Sequence, residues 1–172
     1  TLREKIRNLE SIRLNMFHAL AKRLQSVGPH GDLKPENIIV RQNNMARLID
    51  PGITIDYPSG TLVKQVRVTT PQYNPFLLQG YQADIMAMGI MIYQILTGEY
   101  PYDETKKIPF QIIAGKETRG EIDQLFLQYY LSHPKASEKN PNTPEKLERI
   151  VEKCLNLCPE YGYEAFGSDL ED

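Results

Sequence analysis

The sequence lacks a marked excess of charge of either sign. Its 20 lysine and arginine residues nearly balance 22 aspartate and glutamate residues, which leaves a formal net charge of −2. This balance gives no electrostatic basis for binding nucleic acid or an anionic membrane, and we expect neither as a partner. Hydrophobic residues make up 41% of the 172 positions and charged residues 24%, which is an ordinary globular composition. We therefore predict that residues 1–172 form one compact domain.

The sequence also lacks a hydrophobic run long enough to cross a bilayer. The longest candidate, residues 85–96, is about 12 residues long, is interrupted by Gln94 and fits a buried core helix better. No signal peptide is visible at the start, and we expect a cytoplasmic location. Because the first residue is Thr1, we expect that the chain was processed or belongs to a longer polypeptide.

Cysteine is scarce, and the two that occur stand four positions apart at Cys154 and Cys158. A metal site is one interpretation of this pair, but no histidine or further cysteine lies nearby in sequence to complete a tetrahedral ligand set. Two reduced thiols in a core helix are the favoured interpretation, and they suit a cytosolic protein.

The apolar pattern predicts a mostly helical domain that contains one small β-hairpin. Apolar residues recur at helical spacing through about the first 24 positions, and the segment Val27-Gly28-Pro29 ends that helix. Two β-prone runs, Ile38–Val40 and residues 46–49, flank a polar turn and predict the hairpin. Residues 50–75 show no sustained period, and a long irregular segment in a compact domain is usually functional.

Later helices are predicted at about 82–97, 109–114, 121–131 and 144–157. The first of these is apolar on nearly all sides, as expected for a helix at the centre of its domain, and Gly98 ends it. The last has Thr143 as its predicted N-cap and Pro144 at its first helical position.

Residues that suit phosphoryl transfer are concentrated in one segment, His-Gly-Asp-Leu-Lys-Pro-Glu-Asn at positions 30–37. This reaction needs a positioned acceptor hydroxyl and neutralised phosphate charge. Asp32 offers a carboxylate that can accept the hydroxyl proton, and Lys34 offers a cation two positions on. Asn37 and the later Asp50 offer the oxygen ligands that magnesium prefers.

Five landmarks in this order resemble those of a protein kinase, and the resemblance covers essentially the whole chain. They are a catalytic loop at 30–40, Asp50-Pro51-Gly52 in place of the magnesium-binding Asp-Phe-Gly, the end of an activation segment (50–75) at 69–73, a central helix with its closing loop at 84–102, and closing helices around 154–159. The resemblance implies an α+β kinase-like fold, specifically the helical C-terminal lobe of a serine/threonine protein kinase, with the small hairpin at the catalytic loop.

The resemblance also implies a role for each matching residue. Asp32 would be the catalytic base, and Lys34 would steady the transferring phosphate. Asn37 and Asp50 would hold magnesium. Thr70 would face the substrate and contact Asp32 and Lys34, as in kinases that act on serine and threonine. The cofactors implied are ATP and Mg²⁺, and the partner implied is a protein substrate.

Kinase landmarks expected before the catalytic loop are not found in this sequence. No glycine-rich phosphate loop, strand lysine or partnering helix glutamate precedes residue 30. These parts grip the α- and β-phosphates in the family, so the resemblance implies that this chain alone binds ATP poorly. We expect an N-terminal lobe to be supplied in cis, upstream of residue 1, or in trans by another chain.

Smaller departures concern the loops around the site. Gly31 stands where many kinases have arginine, and Pro51 stands where they have phenylalanine. Asn74-Pro75-Phe76 replaces Ala-Pro-Glu, and residues 160–163 hold no arginine to pair with the missing glutamate. Both partners of a buried ion pair are therefore absent together, which leaves neither charge unpaired. The resemblance assigns Asp84, on the central helix, to hydrogen bonds with the catalytic-loop backbone.

Simpler interpretations of these residues stay open. Asp32 and Asp50 could be loop carboxylates that cap turns, Lys34 could be a solvated lysine, and His30 is favoured as a packed histidine. At the level of function, the favoured hypothesis is a protein kinase completed by an N-terminal lobe. The alternatives are a catalytically inactive kinase-like lobe that acts as a protein-binding or regulatory module, and a small-molecule phosphotransferase.

Overall fold

The described part of the chain folds into a mostly helical structure with two short pairs of antiparallel strands. In a computed structural model, the residues described are 14–40, 46–52, 54–56, 65–67, 70, 72–75, 78–102, 133–156 and 160–171, with 54–56 and 65–67 described by their backbone alone. The elements are α1 Leu14–Val27, a 3₁₀ turn Pro35–Asn37, β1 Ile38–Val40, β2 Ala46–Leu48, β3 Thr54–Asp56, β4 Gln65–Arg67, α2 Tyr81–Thr97, α3 Ala136–Lys139, α4 Glu145–Leu155 and α5 Tyr163–Glu171.

Helix α2 forms the centre of the core. Every residue from 83 through 93 is buried, because apolar side chains cover this helix on nearly all sides. The helix ends at Gly98, which has φ 77° and donates its N–H to Gln94 O at 2.8 Å. A left-handed residue of this kind favours glycine. The helix starts one position before the predicted residue 82 and ends at the predicted residue 97.

Two helices pack closely against other parts of the core. Helix α4 approaches α2 at Gly89, where an added Cβ would lie only 2.4 Å from Cys154 Cβ. Helix α5 packs against α1, and His18 Nδ1 lies 3.0 Å from Gly167 O across that contact. Sequence reasoning missed α5. This helix has nine residues, of which only Phe166, Gly167 and Leu170 are buried. Such a short apolar pattern does not show a helical period in the sequence.

The predicted hairpin is present, with Ile38 opposite Leu48 and Val40 opposite Ala46. The expectation of a single hairpin was wrong, because β3 and β4 form a second antiparallel pair with Thr54 opposite Arg67. This pair lies within residues 50–75, which were predicted to be irregular. Strands of three residues are too short to show the alternation by which a strand is recognised.

The N-terminus of α4 also differs from the prediction. Pro144 is the N-cap residue, with extended φ −62° and ψ 132°, and no side chain caps the helix. Thr143 is therefore not the cap, and its buried Oγ1 has no hydrogen-bond partner in the part of the chain that the structure describes. Cys154 is a buried free thiol, as expected.

Several predictions concern residues outside the described ones. These are Cys158, the predicted helices at 109–114 and 121–131, and the first 13 positions of the first helix. Within the described ranges, no helix combines the length and the apolar character needed to cross a membrane.

Candidate active site

The predicted catalytic loop follows α1 closely, and a buried carboxylate binds its backbone. Asp84 on α2 is fully buried, and its Oδ2 and Oδ1 accept the backbone N–H groups of His30 at 2.7 Å and Gly31 at 3.0 Å. The hydroxyl of Tyr163 on α5 also donates to Asp84 Oδ2, at 2.6 Å. Burial raises the pKa of Asp84, although the hydrogen bonds from Tyr163 and the two backbone groups oppose that rise.

Sequence reasoning placed Asp84 correctly against the loop but missed Tyr163. The pair is separated by 79 positions, and no local pattern connects the two residues. His30 is buried, as the packed interpretation expects, and its Nε2 donates to Ile49 O at 2.9 Å.

Three of the predicted site residues form a closed hydrogen-bonded triangle. Asp32 Oδ1 accepts both the N–H of Thr70 at 2.8 Å and its hydroxyl at 2.7 Å. Lys34 Nζ lies 2.8 Å from Asp32 Oδ2 and donates to Thr70 Oγ1 at 2.8 Å. Burial alone would raise the pKa of Asp32, but the hydrogen bonds from Lys34 and Thr70 and the charge of Lys34 lower it overall. The Asp32 carboxyl is therefore ionised at neutral pH.

Asn37 joins this triangle to Asp50. Its Nδ2 donates to Asp32 O at 2.9 Å, to Asp50 O at 3.3 Å and, more weakly, toward Asp32 Oδ2 at 3.4 Å. The side chain is buried because the 3₁₀ turn directs it under the loop. Since Nδ2 faces these oxygens, Oδ1 is the atom left to coordinate a cation.

The donor set fits a magnesium ion that is shared with phosphate. The exposed Asp50 carboxylate has no ion pair or hydrogen bond within the described residues, so it is available to a cation. Across the same residues, no three or more histidine, cysteine, aspartate or glutamate side chains are grouped to hold a metal by themselves. Two side-chain oxygens, from Asn37 and Asp50, suit Mg²⁺ because this ion takes few protein ligands and completes its shell with phosphate and water oxygens.

Two glycines allow the Asp50 loop to lie directly against the catalytic loop. Gly52 donates its N–H to His30 O at 2.8 Å, and an added Cβ on Gly52 would lie 2.9 Å from Gly31 C. Gly31 itself has φ 81°, a conformation that side chains disfavour. Sequence reasoning treated Gly31 only as a missing arginine. The close approach could not be recognised from the sequence, because Gly31 and Gly52 are 21 positions apart.

Neutral hydrogen bonds secure the segment that follows Thr70. Buried Asn74 accepts the N–H of Leu78 on Oδ1 at 2.8 Å and donates from Nδ2 to Leu78 O at 3.0 Å. The Tyr73 hydroxyl lies 3.0 Å from Gln94 Oε1 and is joined by Tyr100 at 3.3 Å. Burial raises the pKa of Tyr73, so it stays a neutral hydroxyl. These contacts hold the segment without an ion pair, and no sequence pattern had indicated the role of Asn74.

Comparison with known proteins gives the class to which this fold and site belong. The family model described as "Protein kinase domain" matches residues 6–163, and the chain belongs to the protein kinase family.

Two of the individual relatives are protein kinases from a bacterium and from mouse. "Serine/threonine-protein kinase PrkC" of Bacillus subtilis (strain 168) is 28% identical over 159 residues, which cover 89% of this chain and 22% of that protein. "Putative sperm motility kinase W" of Mus musculus is 35% identical over 132 residues, which cover 70% of this chain and 26% of that protein. The chain thus spans about a quarter of the length of these relatives.

Proposed function

We propose that this chain carries the catalytic residues of a serine/threonine protein kinase, which transfers the γ-phosphate of ATP to a protein hydroxyl. The observation that carries the proposal is the triangle of Asp32, Lys34 and Thr70, which lies beside the oxygen ligands of Asn37 and Asp50. A base, a cation and a metal-binding pair within one loop are the parts that phosphoryl transfer needs.

The geometry suggests a distinct task for each oxygen of Asp32. Oδ1 already accepts two donors from Thr70, whereas Oδ2 is shared chiefly with Lys34. Oδ2 is therefore the oxygen we assign to the acceptor hydroxyl, which it would orient and whose proton it would accept. A bound phosphate would attract Lys34 Nζ from Oδ2, and this movement would free the base as ATP arrives.

Magnesium, when bound by Asn37 and Asp50, would supply charge neutralisation for the phosphates. The α- and β-phosphates would be gripped by an N-terminal lobe, in cis or in trans. Thr70 supports serine and threonine over other acceptors, because the family resemblance pairs this threonine with such substrates. The buried free thiol of Cys154 supports a reducing compartment, and we assign the activity to the cytoplasm.

The proposal is tested with the full natural polypeptide that contains this chain. Magnesium-dependent transfer of labelled phosphate from ATP to a protein acceptor is measured for the wild type, Asp32→Asn and Asp169→Asn. Asp169 is a matched control, since it also binds a lysine, Lys153, at 2.7 Å and a hydroxyl, that of Tyr161, at 2.7 Å.

We expect Asp32→Asn to reduce transfer at least about 100-fold, the usual minimum for loss of a positioned base. Asp169→Asn should retain most of the activity, because Asp169 joins α4 to α5 away from the catalytic loop. Equal, background-level transfer by the wild type and Asp32→Asn would contradict the proposal.

A second candidate is an inactive lobe that binds another protein. The observation in its favour is the apolar residue Val27, which is 55% exposed. With Leu48 and Pro51 it lines a cavity of about 410 Å³ between α1 and the first hairpin. If phosphate transfer stays at background, this surface becomes the one to test, by asking whether Val27→Asp abolishes binding of a partner co-purified with the wild type.

A further inference from the structure

We propose that Tyr163 positions the catalytic loop, acting through the carboxylate of Asp84. Its hydroxyl is the one side-chain donor to that carboxylate among the described residues, and the other two donors are the backbone N–H groups of His30 and Gly31. The loop therefore has a fixed link to α5, the last of the described helices. The importance of this link for phosphate transfer rests on the proposed function, whereas the link itself does not.

The hydroxyl fixes the orientation of a carboxylate that two backbone groups alone would hold less firmly. The terminal torsion of an aspartate is broad, so the plane of its carboxylate is set by the donors around it. Tyr163 and His30 both bind Oδ2, at 2.6 and 2.7 Å, and Gly31 binds Oδ1 at 3.0 Å. Because Asp84 is fully buried, water cannot replace a donor that is lost.

The position of Tyr163 is in turn set by the packing of α5 on α1. His18 on α1 contacts Gly167 O at 3.0 Å, and both His18 and Lys22 lie within ion-pair distance of Glu171, at 2.9 and 3.3 Å. Helix α1 ends at Val27, and only Gly28 and Pro29 separate it from the catalytic loop. The loop is therefore connected to α5 twice, once through α1 and once through Tyr163 and Asp84.

Neutral groups alone hold the Asp84 carboxylate among the described residues. These residues provide no lysine or arginine paired with Asp84. A tyrosine hydroxyl keeps its proton here, since burial raises the pKa of Tyr163 and the nearby Asp84 charge raises it further. The link is therefore a neutral donor to a charged acceptor, which is among the stronger kinds of hydrogen bond.

The chain offers a closely matched control for a test of this role. Tyr161 donates to the Asp169 carboxylate at 2.7 Å, so Tyr161→Phe removes the same chemical group from the same kind of acceptor. Tyr163→Phe keeps the ring, which packs edge-on against Tyr81 with centroids 6.4 Å apart. Neither variant adds volume or charge, and both are expected to fold.

The first readout is hydrogen exchange, followed by mass spectrometry of a peptide covering residues 28–33 in the full natural polypeptide. We expect Tyr163→Phe to speed exchange of the His30 and Gly31 amides roughly tenfold or more, as loss of a hydrogen bond to a charged group implies. Tyr161→Phe should leave this peptide unchanged. Equal exchange in the two variants would overturn the proposal.

The second readout is steady-state phosphate transfer. We expect Tyr163→Phe to lower kcat roughly tenfold and to change the KM values for ATP and acceptor by no more than about twofold, because a displaced base affects the transition state and not ground-state binding. A change of exchange without a change of kcat, or of kcat without exchange, would also overturn the positioning role. If the wild type transfers no phosphate, the proposed function fails, and the exchange result alone decides whether Tyr163 holds the loop.

Discussion

Thr70 donates both its backbone N–H and its hydroxyl to a single oxygen of Asp32, at 2.8 and 2.7 Å. The two residues are 38 positions apart, so this contact closes the segment that follows the Asp50 loop onto the catalytic loop. The hydroxyl also accepts a hydrogen bond from Lys34. One threonine thereby sets the position of both groups that we assign to the chemistry.

We expect Thr70→Val to weaken both stability and phosphate transfer. Valine keeps the shape and the backbone donor but removes the hydroxyl, so Asp32 loses one donor and Lys34 loses an acceptor. Removal of a hydrogen bond to a charged group costs about 1.5–3 kcal/mol, which we expect to see as a lower urea midpoint. A similar loss in the transition state would reduce kcat/KM roughly tenfold to 100-fold.

Thr70→Ser is the control for this prediction, because serine keeps the hydroxyl and loses only a methyl group. It should stay close to the wild type in both urea unfolding and phosphate transfer. If Thr70→Val and Thr70→Ser behave alike, the hydroxyl contacts to Asp32 and Lys34 contribute to neither stability nor phosphate transfer.

Acid should remove the stabilising contribution of Asp32. Burial would raise the pKa of this carboxyl, but the hydrogen bonds from Lys34 and Thr70 lower it below the ordinary value of 3.8. The folded state then binds fewer protons than the unfolded state in this range. The contribution is fully present above the unfolded pKa and is lost as the pH falls through the folded one.

Urea midpoints of the wild type and Asp32→Asn, measured from about pH 5 downward, test this sign. The stability advantage of the wild type should shrink with falling pH. Asp84 has the opposite sign, because its raised pKa means that acid relieves the cost of burying its charge. An advantage that grows in acid would show that Asp32 is not held in its ionised form by Lys34 and Thr70.

The sequence predicted the grouping of those candidate-site residues that are close together along the chain. Asp32, Lys34 and Asn37 fall within six positions, and the chain needs only one turn to bring them together. Helix α2 was also predictable, because its apolar character persists over most of its length and gives a strong signal. Neither prediction depended on knowing how distant segments pack.

The parts that were missed depend on distant packing or on very short elements. The contact of Tyr163 with Asp84 spans 79 positions, and a tyrosine near other aromatic residues is most simply interpreted as core packing. Asn74 acts through a turn that its own side chain creates. Strands β3 and β4 are stabilised by their pairing, which no single run of three residues encodes.

We expect Gly89→Ala to destabilise the fold, although alanine is the better helix former. In an open helix this change would gain about 1 kcal/mol. Here the new Cβ would lie 2.4 Å from Cys154 Cβ and 3.5 Å from Leu155 Cδ2, so α2 and α4 must move apart. Such overpacking typically costs about 1–3 kcal/mol, which urea or thermal unfolding would detect.

Variants at Cys154, each combined with Gly89→Ala, identify the atoms that cause the destabilisation. Cys154→Ala removes the thiol but keeps the Cβ that clashes, so the double variant with Gly89→Ala should remain as destabilised as the two single changes added together. Cys154→Gly removes that Cβ, and its combination with Gly89→Ala should lose less stability than the sum. If Cys154→Ala relieves the clash as well as Cys154→Gly does, the conflict lies at the sulfur and the helices are less closely packed than the 2.4 Å approach implies.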